Sequence, residues 1–86
     1  MYSLLYSPQA QKDAKKLSQN LLKKNAEKLL EIIKTNPYAY PPEYELLKGN
    51  LKGYISRRIN KQHRLIYEVL EEEKIIKILR MWTHYE

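Results

Sequence analysis

The sequence predicts an α+β domain in the order β-α-α-β-β-β, with a helical hairpin packed on a mostly antiparallel, twisted sheet. Three observations carry that expectation. Two adjacent stretches, 10–21 and 22–33, place apolar residues at helical spacing. A Pro- and Tyr-rich break follows over 37–45, and beyond it come three short runs rich in Ile, Leu, Val and Tyr, divided by polar joints. Helices gathered toward one end of the chain and strands toward the other suit a layer of helices on a sheet. All of 1–86 is expected to form one domain, and a chain this short buries only roughly 60–65% of its unfolded surface.

Each element has its own signal. Residues 2–6, YSLLY, are rich in strand formers. Ser7-Pro8 reads as a helix start, with Ser as the capping residue and Pro in the first helical position. Ala10, Ala14, Leu17 and Leu21 then recur at helical spacing, and SQN at 18–20 offers a break and a new cap. Leu22, Ala26, Leu29 and Ile33 form a cleaner stripe, with Lys23, Lys24, Lys28, Glu31 and Lys34 largely outside it. Pro37 ends this helix, because the residue before a proline resists helical geometry. PYAYPPEYE, with three Pro and three Tyr, is neither helix nor central strand, and it reads as a functional connecting loop. Residues 53–59, 63–70 and 74–82 read as strands joined by hairpins through INKQ and EEE, although a helix would also accept LEEEK.

Composition limits the chemistry. No cysteine is present, so neither a disulfide nor a thiolate zinc site can staple the fold. Apolar runs fall far short of the ~20 residues that span a bilayer, and MYSLLYSP lacks the basic flank of a signal peptide. A cytoplasmic protein with no membrane partner is the expectation. Sixteen Lys and Arg against ten Asp and Glu give a net charge of +6. Such a balance reads equally as a solvated surface and as a surface for phosphate.

Within SRRINKQHRLIYEV, Arg57 and Arg58 end one strand while His63 and Arg64 begin the next. Strand neighbours face opposite ways, so one member of each basic pair points out of the sheet and the other elsewhere. That gathers guanidinium groups on one surface, suited to forked binding of phosphate. Charge that protects a strand edge is the competing explanation. Glu45, at the exit of the Pro/Tyr loop, and His84, near the C-terminus, are unremarkable singly. Together with the cations they are the parts needed to cleave RNA with no metal or other cofactor. The ribose 2′-hydroxyl must lose a proton, the 5′-oxygen must gain one, and the phosphorane between them carries added negative charge. Glu71, Glu72 and Glu73 sit in a hairpin joint and read as solvated turn charge, not as a magnesium site.

LKGNLKGYISRRINKQHRLIYEV, followed by a terminal His-Tyr pair, resembles the YoeB/Txe toxins of the RelE/ParE superfamily. The resemblance is specific over 45–70 and at the end, and architectural over the first 36 residues. It implies a RelE-like fold and a ribosome-dependent mRNA endonuclease that cuts messages in the ribosomal A site and arrests translation. By this resemblance Glu45 is the general base, Arg64 stabilises the transition state and His84 is the general acid. Lys48 and Arg58 hold the RNA backbone and scissile phosphate, and Tyr85 orients or stacks on the message. His63 is structural or adjacent to substrate, and Trp82 belongs to packing or to the rim.

The resemblance also implies partners: the 70S ribosome with mRNA, a cognate antitoxin of YefM/Phd type, and operator DNA reached through the toxin–antitoxin complex. Pairing with a second copy is left open. Two departures bear on the terminal histidine. Glu86 follows Tyr85 where close members of the family often end, and the spacing from Arg80 to His84 is longer than in some members. Two other functions fit a basic domain of this size: a ParE-like gyrase poison, and a non-catalytic module that binds nucleic acid.

Overall fold

The computed structural model describes residues 1–18 and 22–81. Its elements are β1 (Ser3–Tyr6), α1 (Pro8–Ser18), α2 (Lys23–Thr35), β2 (Glu45–Leu46), β3 (Tyr54–Arg58), β4 (Arg64–Leu70) and β5 (Ile75–Arg80), with a short 3-10 turn at Gly49–Leu51. The strands form one sheet in the order β1-β5-β4-β3-β2. β1 runs parallel to β5, and every other pairing is antiparallel. The α+β layer arrangement is the one the sequence predicts, with one addition. Glu45 and Leu46, expected at the exit of a loop, form a two-residue edge strand against Ser56 and Ile55.

The first helix begins as its sequence dictates. Ser7 Oγ accepts the Ala10 N–H at 2.9 Å, which satisfies one of the backbone donors left free at a helix start. The same hydroxyl donates to the Leu79 carbonyl at 2.8 Å and so ties the start of α1 to β5. The second helix differs from expectation. Residues 19 and 20 of the SQN break lie outside the described residues, as does Leu21, and the capping position of α2 is Leu22, with no side-chain cap. Its far end is terminated by Asn36, extended at φ −151 and ψ 102 as the residue before a proline must be.

Apolar faces of both helices meet one face of the sheet. Ala10, Leu17, Ala26, Leu29 and Ile33 pack against Ile55, Leu65, Tyr67, Ile76, Ile78 and Met81. Alternation along β3 and β4 therefore sends Ile55, Arg57, Leu65 and Tyr67 toward the helix layer, and Tyr54, Ser56, Arg58, Arg64 and Ile66 toward the opposite face. Between β3 and β4 the INKQ joint turns on Asn60, whose Oδ1 accepts the N–H groups of Gln62 at 2.9 Å and His63 at 2.7 Å. The EEE joint, the other hairpin connection, is a turn and not a helix. No helix among the described residues is long and apolar enough to cross a membrane.

Candidate active site

Register decides which charged side chains can meet. Glu45 stands opposite Ser56, and Arg58 stands opposite Arg64. Because Ser56 and Arg58 are two residues apart on one strand, all four share a face, and it is the face away from the helices. Pro42, Glu43, Tyr44, Glu45, Ser56, Arg58 and Arg64 line an open cleft of ≈ 190 Å³ there.

Inside the cleft, Arg64 Nη1 lies 3.2 Å from Glu45 Oε2 and 3.5 Å from Ser56 Oγ. The arginine is 16% exposed and the carboxylate 63%, so the guanidinium is held from below while Glu45 reaches it from the solvent side. Two arginines directly across a strand pair repel each other, and Glu45 offsets that repulsion on one of them. A guanidinium carries five N–H donors in a fixed fork. That fork matches the oxygens of a phosphate in shape and charge, and exposed Arg58 lies beside it.

The segment that delivers Glu45 is held by a side chain from the other face of the sheet. Arg57 is fully buried. Its Nε donates to Tyr67 Oη at 2.9 Å, its Nη1 to the Pro42 carbonyl at 2.6 Å, and its Nη2 to the carbonyls of Pro37 and Ala39 at 3.1 and 2.8 Å. Tyr67 Oη donates in turn to the Pro37 carbonyl at 2.7 Å. The Tyr44 ring lies 4.7 Å from the guanidinium carbon, a distance for cation–π attraction, and meets the Tyr40 ring edge to face. Burial pushes the Tyr67 phenol up from its ordinary value, which the neighbouring guanidinium partly opposes, so the hydroxyl stays protonated as a donor at neutral pH.

A second buried polar group anchors the end of β5. Asp13, on α1, accepts Arg80 Nε at 2.9 Å and the Met81 N–H at 3.0 Å through Oδ2, and Gln9 Nε2 at 3.0 Å through Oδ1. Met81 is the last described residue. The sheet's end is thus pinned to the helix layer at the point where the chain runs on toward His84.

The structure brings Glu45, Arg58 and Arg64 into one cleft. Lys48 is not among the residues lining it. That side chain lines a neighbouring apolar cleft with Tyr38, Leu46, Lys52, Ile55 and Val69. His63 is buried at the β3–β4 joint. His84, Tyr85, Trp82 and Glu86 lie outside the described residues. Among the described residues no three His, Asp or Glu side chains gather as a metal-ligand set.

Arg57 and Asp13 escaped assignment from the sequence, yet each leaves a trace there. Arg57 falls between Ile55 and Ile59 on an apolar strand face, and Asp13 falls between Ala10 and Leu17 on an apolar helix face. Glu71, Glu72 and Glu73 are exposed turn residues, as read from the sequence, and Glu71 makes contacts besides. Its carboxylate accepts the hydroxyls of Tyr2 at 3.0 Å and Tyr38 at 3.2 Å, and it pairs with Lys74 at 3.6 Å. The tyrosine bond from Tyr2 is the main cause that holds the Glu71 carboxyl below its ordinary value.

Comparison with known proteins fits this geometry to a family. Residues 6–85 match the model of the YoeB-like toxin of bacterial type II toxin–antitoxin systems. The chain belongs to that family. A toxin YoeB from Synechocystis is 40% identical over 58 residues, which span 67% of this chain and 65% of that protein. Among solved structures, the YoeB–YefM complex from Staphylococcus aureus superposes with a TM-score of 0.83 at 40% identity over 99% of both chains. A YoeB dimer from the same organism gives the same TM-score over 98% of both chains. The YoeB/ParE toxin from Agrobacterium tumefaciens gives 0.88 at 26% identity, over 96% of this chain and 99% of that one. The YoeB-like fold accordingly extends over nearly the whole chain, including the first 36 residues.

Proposed function

We propose that the chain is an endoribonuclease that cleaves messenger RNA in the ribosomal A site, without a metal, by attack of the 2′-hydroxyl on its own phosphodiester. Glu45 takes the 2′-hydroxyl proton, the 2′-oxygen bonds to phosphorus, and the 5′-oxygen leaves with a proton from His84. Arg64 and Arg58 face the added charge on phosphorus, Lys48 holds the adjoining backbone, and Tyr85 stacks on the message. A 2′,3′-cyclic phosphate and a free 5′-hydroxyl result.

The single observation that carries the reading is the Arg64–Glu45 pair at 3.2 Å in an open cleft with Arg58. A guanidinium fork beside an exposed carboxylate supplies the charge stabilisation and the proton acceptor that attack on a phosphodiester needs. A gyrase poison or a passive binder of nucleic acid has no need of the carboxylate.

The YefM that accompanies the S. aureus relative supports an antitoxin of that type as the partner here. An acidic segment that folds on contact complements a chain of net charge +6. Through that complex the pair would occupy its own operator, and the YoeB dimer supports self-association.

Glu45→Ala, Arg64→Ala and His84→Ala are each expected to restore growth to cells that express the chain without antitoxin. Each should also lower cleavage of ribosome-bound message by about 10²–10³-fold or more. Primer extension with and without ribosomes is the check. Cuts that need no ribosome would point to a free nuclease, and three fully toxic variants would end the assignment.

A further inference from the structure

We infer that Arg57, which no part of the proposed reaction uses, is the positioning residue for Glu45, and that Tyr67 and Tyr44 act with it. The inference rests on the proposed role of Glu45 as base. Glu45 stands at the sheet edge on a strand of two residues, too short to fix its own direction by ladder bonds alone. Everything between α2 and that strand is the Pro/Tyr loop, whose prolines lack the N–H groups that would tie it down. The loop is held from beneath. Four donor contacts from one guanidinium reach Tyr67 and the carbonyls of Pro37, Ala39 and Pro42, so both ends of the loop converge on one planar group. Tyr44, the residue immediately before Glu45, lies over that same group.

Charge makes the arrangement informative. A fully buried guanidinium is costly, and an interior arginine is ordinarily matched to a carboxylate. Here the neighbours are three carbonyl dipoles, one phenol and one ring. Methionine or leucine would fill such a volume between Ile55 and Ile59 without burying a charge, but would leave the three carbonyls without these donors. What an arginine adds is a rigid fork that fixes the directions of three carbonyls at once, which the single ammonium of lysine cannot do. The direction so fixed is that of the chain entering Glu45, which must meet Arg64 at 3.2 Å. Arg57 and Arg58 thus divide the work between the two faces of one strand: the second meets the message, and the first aims the base.

A double-mutant cycle on single-turnover cleavage of ribosome-bound message tests this, with Arg57→Lys, Glu45→Gln and the pair. Arg57→Lys alone is expected to slow cleavage about 10- to 100-fold with half-saturation by ribosomes unchanged. Added to Glu45→Gln, it should cost less than threefold, because the base it aims is already gone. Hydrogen exchange should quicken at the loop amides of 38–44 and stay constant in β4 and β5. Losses that multiply in the double variant, or a loss in ribosome binding without a loss in rate, would overturn the inference while leaving Glu45 as the base. A fully active Glu45→Gln would overturn both together. Should Arg57→Lys fail to fold, Tyr67→Phe replaces it in the same cycle, since it keeps the ring and removes only the hydroxyl between Arg57 and Pro37. It is expected to slow cleavage about threefold to tenfold, again without effect on the Glu45→Gln background, and multiplying losses would again overturn the inference.

Discussion

Arg57 and Arg58 are the same residue type, adjacent on one strand, and they have opposite environments. The first is fully buried and spends four donor contacts on the protein itself; the second is exposed and lines the cleft. Nothing in the two side chains explains this. Strand alternation does, because it sends one toward the helix layer and the other toward the open face. The difference teaches that a basic cluster in a sequence is not one functional unit. Half of it can be scaffold, and the scaffold half can be the more demanding to replace.

Substitution at these two positions breaks the comparison most directly. Arg57→Met is expected to lower the free energy of unfolding by about 3 kcal/mol, since it leaves several buried carbonyls without donors. Arg58→Met should change it by less than about 0.5 kcal/mol. Urea titration of both variants is the measurement, and equal midpoints would mean that the buried arginine is not scaffold. A smaller effect is expected at Asp13, another buried polar group. Asp13→Asn keeps the shape but removes the charge that Arg80 and the Met81 N–H share, at a cost of about 2 kcal/mol. Because Asp13 holds the end of β5 and Arg57 holds the Pro/Tyr loop, the double variant with Arg57→Lys should lose the sum of the two single losses.

Glu71 gives the smallest effect, and it depends on pH. Tyrosine bonding holds its carboxyl below the ordinary value of 4.5. The folded state therefore binds that proton more weakly than the unfolded state does. The stabilisation is present above the unfolded value and is lost as pH falls through the lowered folded one. Glu71→Gln should melt below the parent at pH 7, and the gap should close as pH falls through the lowered carboxyl value. A gap that stayed constant with pH would place the effect on packing of Tyr2 and Tyr38 instead.

Much of the layout was legible in the residues. Ser7 caps α1 as Ser-Pro predicts, because the missing proline N–H and the serine oxygen both suit a helix start. Asn36 ends α2 because Pro37 follows it. Three strands appear where β-branched and aromatic residues cluster. The strand at Glu45–Leu46 was not legible. Two residues carry no periodicity, and only pairing with Ile55 and Ser56 makes them a strand. A capping residue for α2 in SQN was expected for good reason, yet the helix starts at Lys23, beyond Leu22. The carboxylate and both arginines of the cleft were named from the resemblance, but Lys48 borders a separate apolar cleft. Three residues from Glu45, an odd step along extended backbone, it faces the other side.

The sequence by itself determined the local choices: where helices start and stop, which faces are apolar, and a net charge of +6 with no cysteine. It could do so because capping, proline geometry and periodicity act over a few residues. Only the tertiary structure decided which charges meet. Glu45 and Arg64 are nineteen residues apart and touch because β3 stands between β2 and β4. Arg57 and Asp13 became buried anchors because the sheet and the helices close over those faces. Pairing register and burial are properties of the packed chain, and no window of neighbouring residues contains them.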